Sequence, residues 1–179
     1  MTDATTALID AIGVNFYWNN QWLHPDAPRP ADAEPDWRPS RDPLSVYDPR
    51  FRPFRDMLAE VHARYRRPVF VAETSIEGAP RAEWLRYVCE EVRAAILMGV
   101  PVEGICPYPI LSHLGWDDDR YCPNGLFELE ARNGRRVVHA PLAAELQRQQ
   151  ALFSALFEDG HHRLVEAERA QSLRLASSR

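Results

Sequence analysis

The stretch "PVFVAETSIEG", residues 68–78, constrains the fold more than any other part of the chain. Val69, Phe70, Val71 and Ala72 carry no alternating polar residue, so the pattern predicts a strand buried on both faces, as in parallel sheets covered by helices. Amphipathic helices are predicted on either side of it. Asp48 and Pro49 offer a cap and a first-turn proline. Phe51, Phe54, Met57, Leu58, Val61 and Tyr65 then recur at helical spacing to about Arg66. After the strand, Pro80 opens a second helix whose Trp84, Val88, Val92, Ala95 and Ile96 share a face, and Gly99 stops it. Shorter apolar runs at 10–17 and 101–110 supply a strand before and a strand after. Strands alternating with helices in this way predict parallel βα units.

Three such units close nothing, since a (β/α)₈ barrel needs about 250 residues and this chain has 179. The fold class expected is therefore α/β, a partial (β/α)₈ TIM barrel of three βα units, as a fragment or a half-barrel. Residues 1–158 are expected to form that unit and 159–179 a polar tail, a weakly packed helix or disordered. The segment from Trp18 to Pro49 carries Pro25, Pro28, Pro30, Pro35, Pro39 and Pro43, which exclude regular helix or central strand. Its Trp18, Trp22 and Trp37 would form a flat binding platform or simply pack the loop down. "LFELE" and "RRVVHA" around "ARNG" suggest a small hairpin or a strand-like extension. A last helix is predicted from about Pro141 to Leu156, carrying Leu142, Leu146, Leu152, Phe153 and Leu156.

A net charge of −5 argues against an electrostatic nucleic-acid binder. No apolar stretch approaches the ~20 residues of a membrane span, and "MTDATTALIDAIG" lacks the basic start and apolar core of a signal peptide. Cys89, Cys106 and Cys122 share no metal-ligand spacing, so reduced thiols and a cytoplasmic location are expected.

In parallel barrels the reactive side chains sit at the carboxyl ends of strands. Here the three strand ends read "NFYW", "ETS" and "YPILSHLGWDDD". Glu73 is either such a reactive group or the first polar residue of a loop. His113 with Asp117, Asp118 and Asp119 could suggest a metal, but three successive aspartates cannot all face one ion, and no metal is expected. His161 and His162 read as surface residues of the tail. Ser75 or Ser112 with a histidine could suggest a hydrolase triad, yet no Gly-x-Ser-x-Gly elbow accompanies them.

Three ordered motifs resemble the C-terminal part of family 1 glycoside hydrolases, the β-glucosidase-like barrels, between about Asp10 and Ala140. "DAIGVNFYW" is similar to the family's sixth strand, "PVFVAETSIEG" to its seventh and "GVPVEGICPYPILSHLGWDDDRYCPNGLFELE" to its eighth with the segment that follows. The resemblance implies that Glu73 is the catalytic nucleophile of a retaining β-glycosidase and that Tyr17 orients it. It implies substrate-binding roles for Asn15, Tyr108, His113 and Trp116, with a carbohydrate substrate and no cofactor. Two departures imply an altered sugar preference: Gly115 stands where the family has a glutamate, and "ETS" replaces "ENG". The family's acid/base lies in an Asn-Glu-Pro that this chain lacks; Glu34 before Pro35 falls in the wrong loop. The expected partner is then a homodimer mate or a missing N-terminal half-barrel. The alternative is a non-catalytic barrel remnant binding carbohydrate or a protein partner.

Overall fold

The computed structural model describes residues 9–22, 43–116, 118–130 and 134–176, with side chains of the last helix described as far as 158. In chain order the elements are β1 (Ile12–Asn15), α1 (Phe54–Tyr65), β2 (Val69–Thr74), α2 (Arg81–Leu97), β3 (Val102–Pro107), β4 (His113–Leu114), β5 (Tyr121–Cys122), β6 (Phe127–Leu129), β7 (Arg136–Val138) and α3 (Ala140–Ala176). β1, β2 and β3 form a parallel sheet in that spatial order. Each helix thus carries the chain to the next neighbouring strand. Two antiparallel hairpins, β4–β5 and β6–β7, follow. The described strands do not close into a barrel.

The helices cover one face of the parallel sheet. Val69 and Val71 are fully buried beneath Phe54, Leu58, Trp84, Val88 and Val92. Phe16 anchors this core, stacked on Phe54 at 3.9 Å and packed against Trp84 at 5.6 Å. The expectation of two buried faces is corrected here: Phe70 and Ala72, on the opposite face, stay partly exposed. On that face Gly13 lies so close that a Cβ there would stand 3.1 Å from both Ala72 Cβ and Phe70 Cζ. The same strand that is apolar on both sides therefore has only one side covered by the described chain.

The boundary of α1 also differs from expectation. Asp48 does not cap it; the carboxylate instead accepts bonds from the backbone and guanidinium of Arg50. Pro53 lacks an N–H to bond a residue one turn earlier, so the helix begins only at Phe54. Arg66 ends it in the left-handed region, its N–H donating to the His62 carbonyl. α2 ends as expected at Gly99, whose φ of +87° suits glycine. Val100 N–H reaches the Ala95 carbonyl at 3.0 Å and Gly99 N–H the Ile96 carbonyl at 2.9 Å, a Schellman closure.

The long loop is tied at its ends: Gln21 exchanges side-chain bonds with the Arg52 backbone, and Leu44 N–H donates to the Gln21 carbonyl. Pro25, Pro28, Pro30, Pro35, Pro39, Glu34 and Trp37 lie outside the described residues. α3 runs past Leu156, where the predicted helix ended, to Ala176. It docks on α2 through Glu145, which meets Arg86, and through Gln149, which accepts from Arg93; Arg148, on α3 itself, also donates to Glu145. Among the described residues no helix is long and apolar enough to cross a membrane.

Candidate functional site

Because β1, β2 and β3 are parallel, their carboxyl ends share one rim. Glu73 stands at that rim as the next-to-last residue of the central strand. A register shift between Val14 and Asn15 places Asn15 opposite Glu73, and Phe16 N–H donates to the Glu73 carbonyl at 2.9 Å. The same irregularity lets Thr74 turn inward, where it is 2% exposed and accepts a 2.9 Å bond from Trp84 Nε1. Glu73 is left half-buried on the rim, its backbone carbonyl held by Phe16 N–H.

Tyr17 O–H donates to Glu73 Oε2 at 2.7 Å, from the segment that leaves β1 to the end of neighbouring β2. Burial, then the accepted bond and the charge of Glu73, hold the Tyr17 hydroxyl well above the ordinary tyrosine range. The phenol therefore remains a donor throughout the neutral range. Its position is fixed locally, since Tyr17 N–H donates to Asn20 Oδ1 and Asn20 N–H returns to the Tyr17 carbonyl. Tyr108, whose N–H donates to the Thr74 carbonyl at 3.1 Å, adds a smaller electrostatic effect of the same sign on Tyr17. A carboxylate with one oxygen held by a half-buried phenol can act as a nucleophile or as a hydroxyl acceptor.

Glu73, Tyr17, Asn15 and Tyr108 thus come together at the rim. His113 and Trp116 do not join them directly. His113 lies in β4 opposite Cys122, its Nδ1 2.5 Å from the Leu114 carbonyl. Trp116 is 85% exposed near the hairpin tip. Gly115 beside it has no space for a side chain as the loop stands, because a Cβ would fall 2.1 Å from Asp118 Oδ1. The space beside Gly115 is thus occupied by the Asp118 carboxylate, whose Oδ1 accepts from Arg120 N–H at 3.1 Å.

Among the described residues no group of three His, Cys, Asp or Glu side chains could hold a metal ion; Asp117 lies outside them. Ser75 donates to the Asn124 carbonyl and Ser112 accepts from Gly125 N–H, so both hydroxyls serve backbone groups. Trp18 and Trp22 are exposed.

Two supporting residues escaped sequence reasoning. Thr74 sits directly after Glu73, and the apolar–polar switch there gave no sign that it turns inward. Arg81, only 5% exposed, binds the carbonyls of Gly78 and Gly125 and the Glu128 carboxylate, tying α2 to the segment before β6. An arginine in a first helical turn ordinarily reads as solvated, so no signal in the sequence marks it.

No protein-family profile matches the chain, and no curated protein matches it in sequence. In fold it is similar to part of a family 1 β-glucosidase from Thermotoga maritima in complex with isofagomine lactam, at 17% identity over 76% of this chain and 34% of that one, with a TM-score of 0.53. A β-glucosidase from Thermotoga maritima in complex with noeuromycin gives 17% identity over 76% and 34%, with a TM-score of 0.52. The β-glycosidase from the hyperthermophile Thermosphaera aggregans gives 19% identity over 63% and 24%, with a TM-score of 0.50. The chain therefore spans between 24% and 34% of these structures. At such identities the likeness is one of fold: a mixed α/β arrangement similar to that of β-glucosidases.

Proposed function

We propose that this chain is the sixth-to-eighth-strand portion of a family-1-type retaining β-glycosidase acting on O-glycosidic bonds, with Glu73 as nucleophile. The observation that carries the reading is the 2.7 Å bond from Tyr17 to Glu73 Oε2 at the carboxyl ends of neighbouring parallel strands. Sites in barrels of this class lie at that rim, and the fold likeness is to glycosidases.

In this reading Tyr17 pins Oε2 and leaves Oε1 to attack the anomeric carbon. The bond to the leaving aglycone breaks as the glycosyl-enzyme ester forms, through an oxocarbenium-like transition state. A second carboxyl group about 5–5.5 Å away protonates the departing oxygen and later deprotonates the water that releases the sugar. Asn15 and Tyr108 at the rim, with His113 and Trp116 from the hairpin, would shape the sugar subsite. Asp118, beside Gly115, supplies an acceptor displaced from the family's position, which supports an altered sugar preference.

The acid/base comes from outside this chain. The three parallel strands serve as staves of an eight-stranded cylinder. Two or three copies of a three-stranded sheet make six or nine strands, so a second copy does not restore eight. That favours a partner, or preceding sequence, that supplies the remaining βα units together with the acid/base glutamate.

The experiment is complementation. Combined with those units, the chain should cleave aryl β-glycosides, and Glu73→Ala should abolish turnover. Full turnover in Glu73→Ala would remove the nucleophile assignment. A restored enzyme that favours plain β-glucosides as strongly as β-glucosidases do would remove the inference drawn from Gly115.

A further inference from the structure

The seam between the chain leaving Glu73 and the β4–β5 hairpin is not used by the chemistry above. Ser75 Oγ donates to the Asn124 carbonyl at 3.0 Å, and Gly78 N–H to the Pro123 carbonyl at 2.9 Å. Between them the Arg120 guanidinium forks onto both oxygens of Glu77, at 2.7 and 3.0 Å. Residues shortly past Glu73 thus grip the segment that closes the hairpin.

The root of the hairpin is secured separately. Gly125 N–H donates to Ser112 Oγ, and buried Arg81 donates to the Gly125 carbonyl. Those bonds lie in the interior and hold whether or not the Glu77 pair is formed. The Glu77 and Arg120 side chains are 43% and 57% exposed, so their pairing adds little to global stability. Its two parallel bonds do fix an orientation. Arg120 foremost, with smaller help from Cys122 and His113, holds the Glu77 carboxyl below its ordinary range, so both partners stay charged near neutrality.

We infer that Glu77 and Arg120 are positioning residues: they lock the hairpin that carries His113 and Trp116 to the loop leaving Glu73, and so set where Trp116 stands relative to that carboxylate. The lock itself follows from geometry alone; what the positioned tryptophan receives, a sugar, rests on the glycosidase reading.

The test uses the full chain with the variants E77Q, R120Q and the double. Amide hydrogen exchange is followed at Gly78, bonded to Pro123, and at Gly115, bonded to the Arg120 carbonyl. Each single variant should speed exchange at both amides by about fivefold. The double should do the same, not the roughly twenty-fivefold of independent effects, because one substitution already breaks the pair. The thermal midpoint should stay put in all three. Unchanged exchange in both singles, or a multiplicative double, overturns the lock.

The second readout is affinity for an aryl β-glycoside, read as KM in the chain combined with the remaining βα units, which should weaken by a similar factor in each single variant. Faster exchange with unmoved affinity would reduce the pair to a structural tie and overturn its positioning role. A parent chain that, combined with the remaining βα units, cleaves no aryl β-glycoside while exchange behaves as expected would count against the glycosidase reading and leave the lock in place.

Discussion

Replacing Thr74 with valine tests whether the strand end beneath Glu73 is held by a buried polar bond. Thr74 is 2% exposed and Trp84 6% exposed, and Trp84 Nε1 donates to Thr74 Oγ1 at 2.9 Å. Valine keeps the shape and removes the acceptor, so a buried indole N–H loses its partner. An unsatisfied buried donor costs about 1–3 kcal/mol, and burial this complete places the loss near 2 kcal/mol. For a chain of this length each kcal/mol moves the thermal midpoint by roughly 2–4 °C, so Thr74→Val should melt about 4–8 °C lower. Calorimetry on parent and variant reads this directly. Trp84→Phe removes the donor instead, and the double variant should lose less than the two singles combined, since they share one bond. The Phe16 amide, bonded to the Glu73 carbonyl, should exchange faster in Thr74→Val. A midpoint within about 1 °C of the parent would show that the bond does not hold the strand end.

Gly125→Ala should be severely destabilising, because its Cβ would meet Ser112 N at 2.3 Å and Leu111 C at 2.6 Å. These are backbone atoms, so about 1–3 kcal/mol or more is expected, and a denaturant midpoint equal to the parent's would contradict it. Glu145 should steepen acid unfolding: burial raises its carboxyl pKa, but Arg86, Gln149 and Arg148 outweigh that and leave it below 4.5 in the folded state. Its contribution is complete above about pH 4.5 and fades as pH falls through the folded value, so Glu145→Gln should flatten the acid limb of stability against pH. Of the three cysteines, exposed Cys106 should alkylate first at pH 8. Cys89, 3% exposed with its thiol pushed up to about 12 by burial, should react only on unfolding, and fast labelling of Cys89 in the native protein would contradict its packing.

Where sequence reasoning succeeded, the signal was local. Gly99 marked the end of α2 because only a residue free of Cβ strain suits its φ of +87°. "LFELE" and "RRVVHA" around "ARNG" gave the β6–β7 hairpin because turn residues between strand formers leave few other choices. Asp48 misled because an aspartate before a proline fits a cap and a surface turn equally well, and Pro53 decided between them. The β4–β5 hairpin escaped notice because "HL" and "YC" are too short for periodicity to register. Arg81 was invisible for another reason: its burial depends on Gly78, Gly125 and Glu128 arriving around it.

The amino-acid order alone determined the alternation of strands and helices, and it placed an acid at the end of the central apolar run. Those properties follow from side-chain period and backbone preference, which act over a few residues. The tertiary structure decided that Tyr17 meets Glu73 across 56 residues of chain, that Phe70 and Ala72 stay partly exposed, and that Trp116 is left 85% exposed beside the β4–β5 hairpin. Such contacts form only when parallel strands settle into register and helices cover one face, and no local pattern encodes which distant partner will be there.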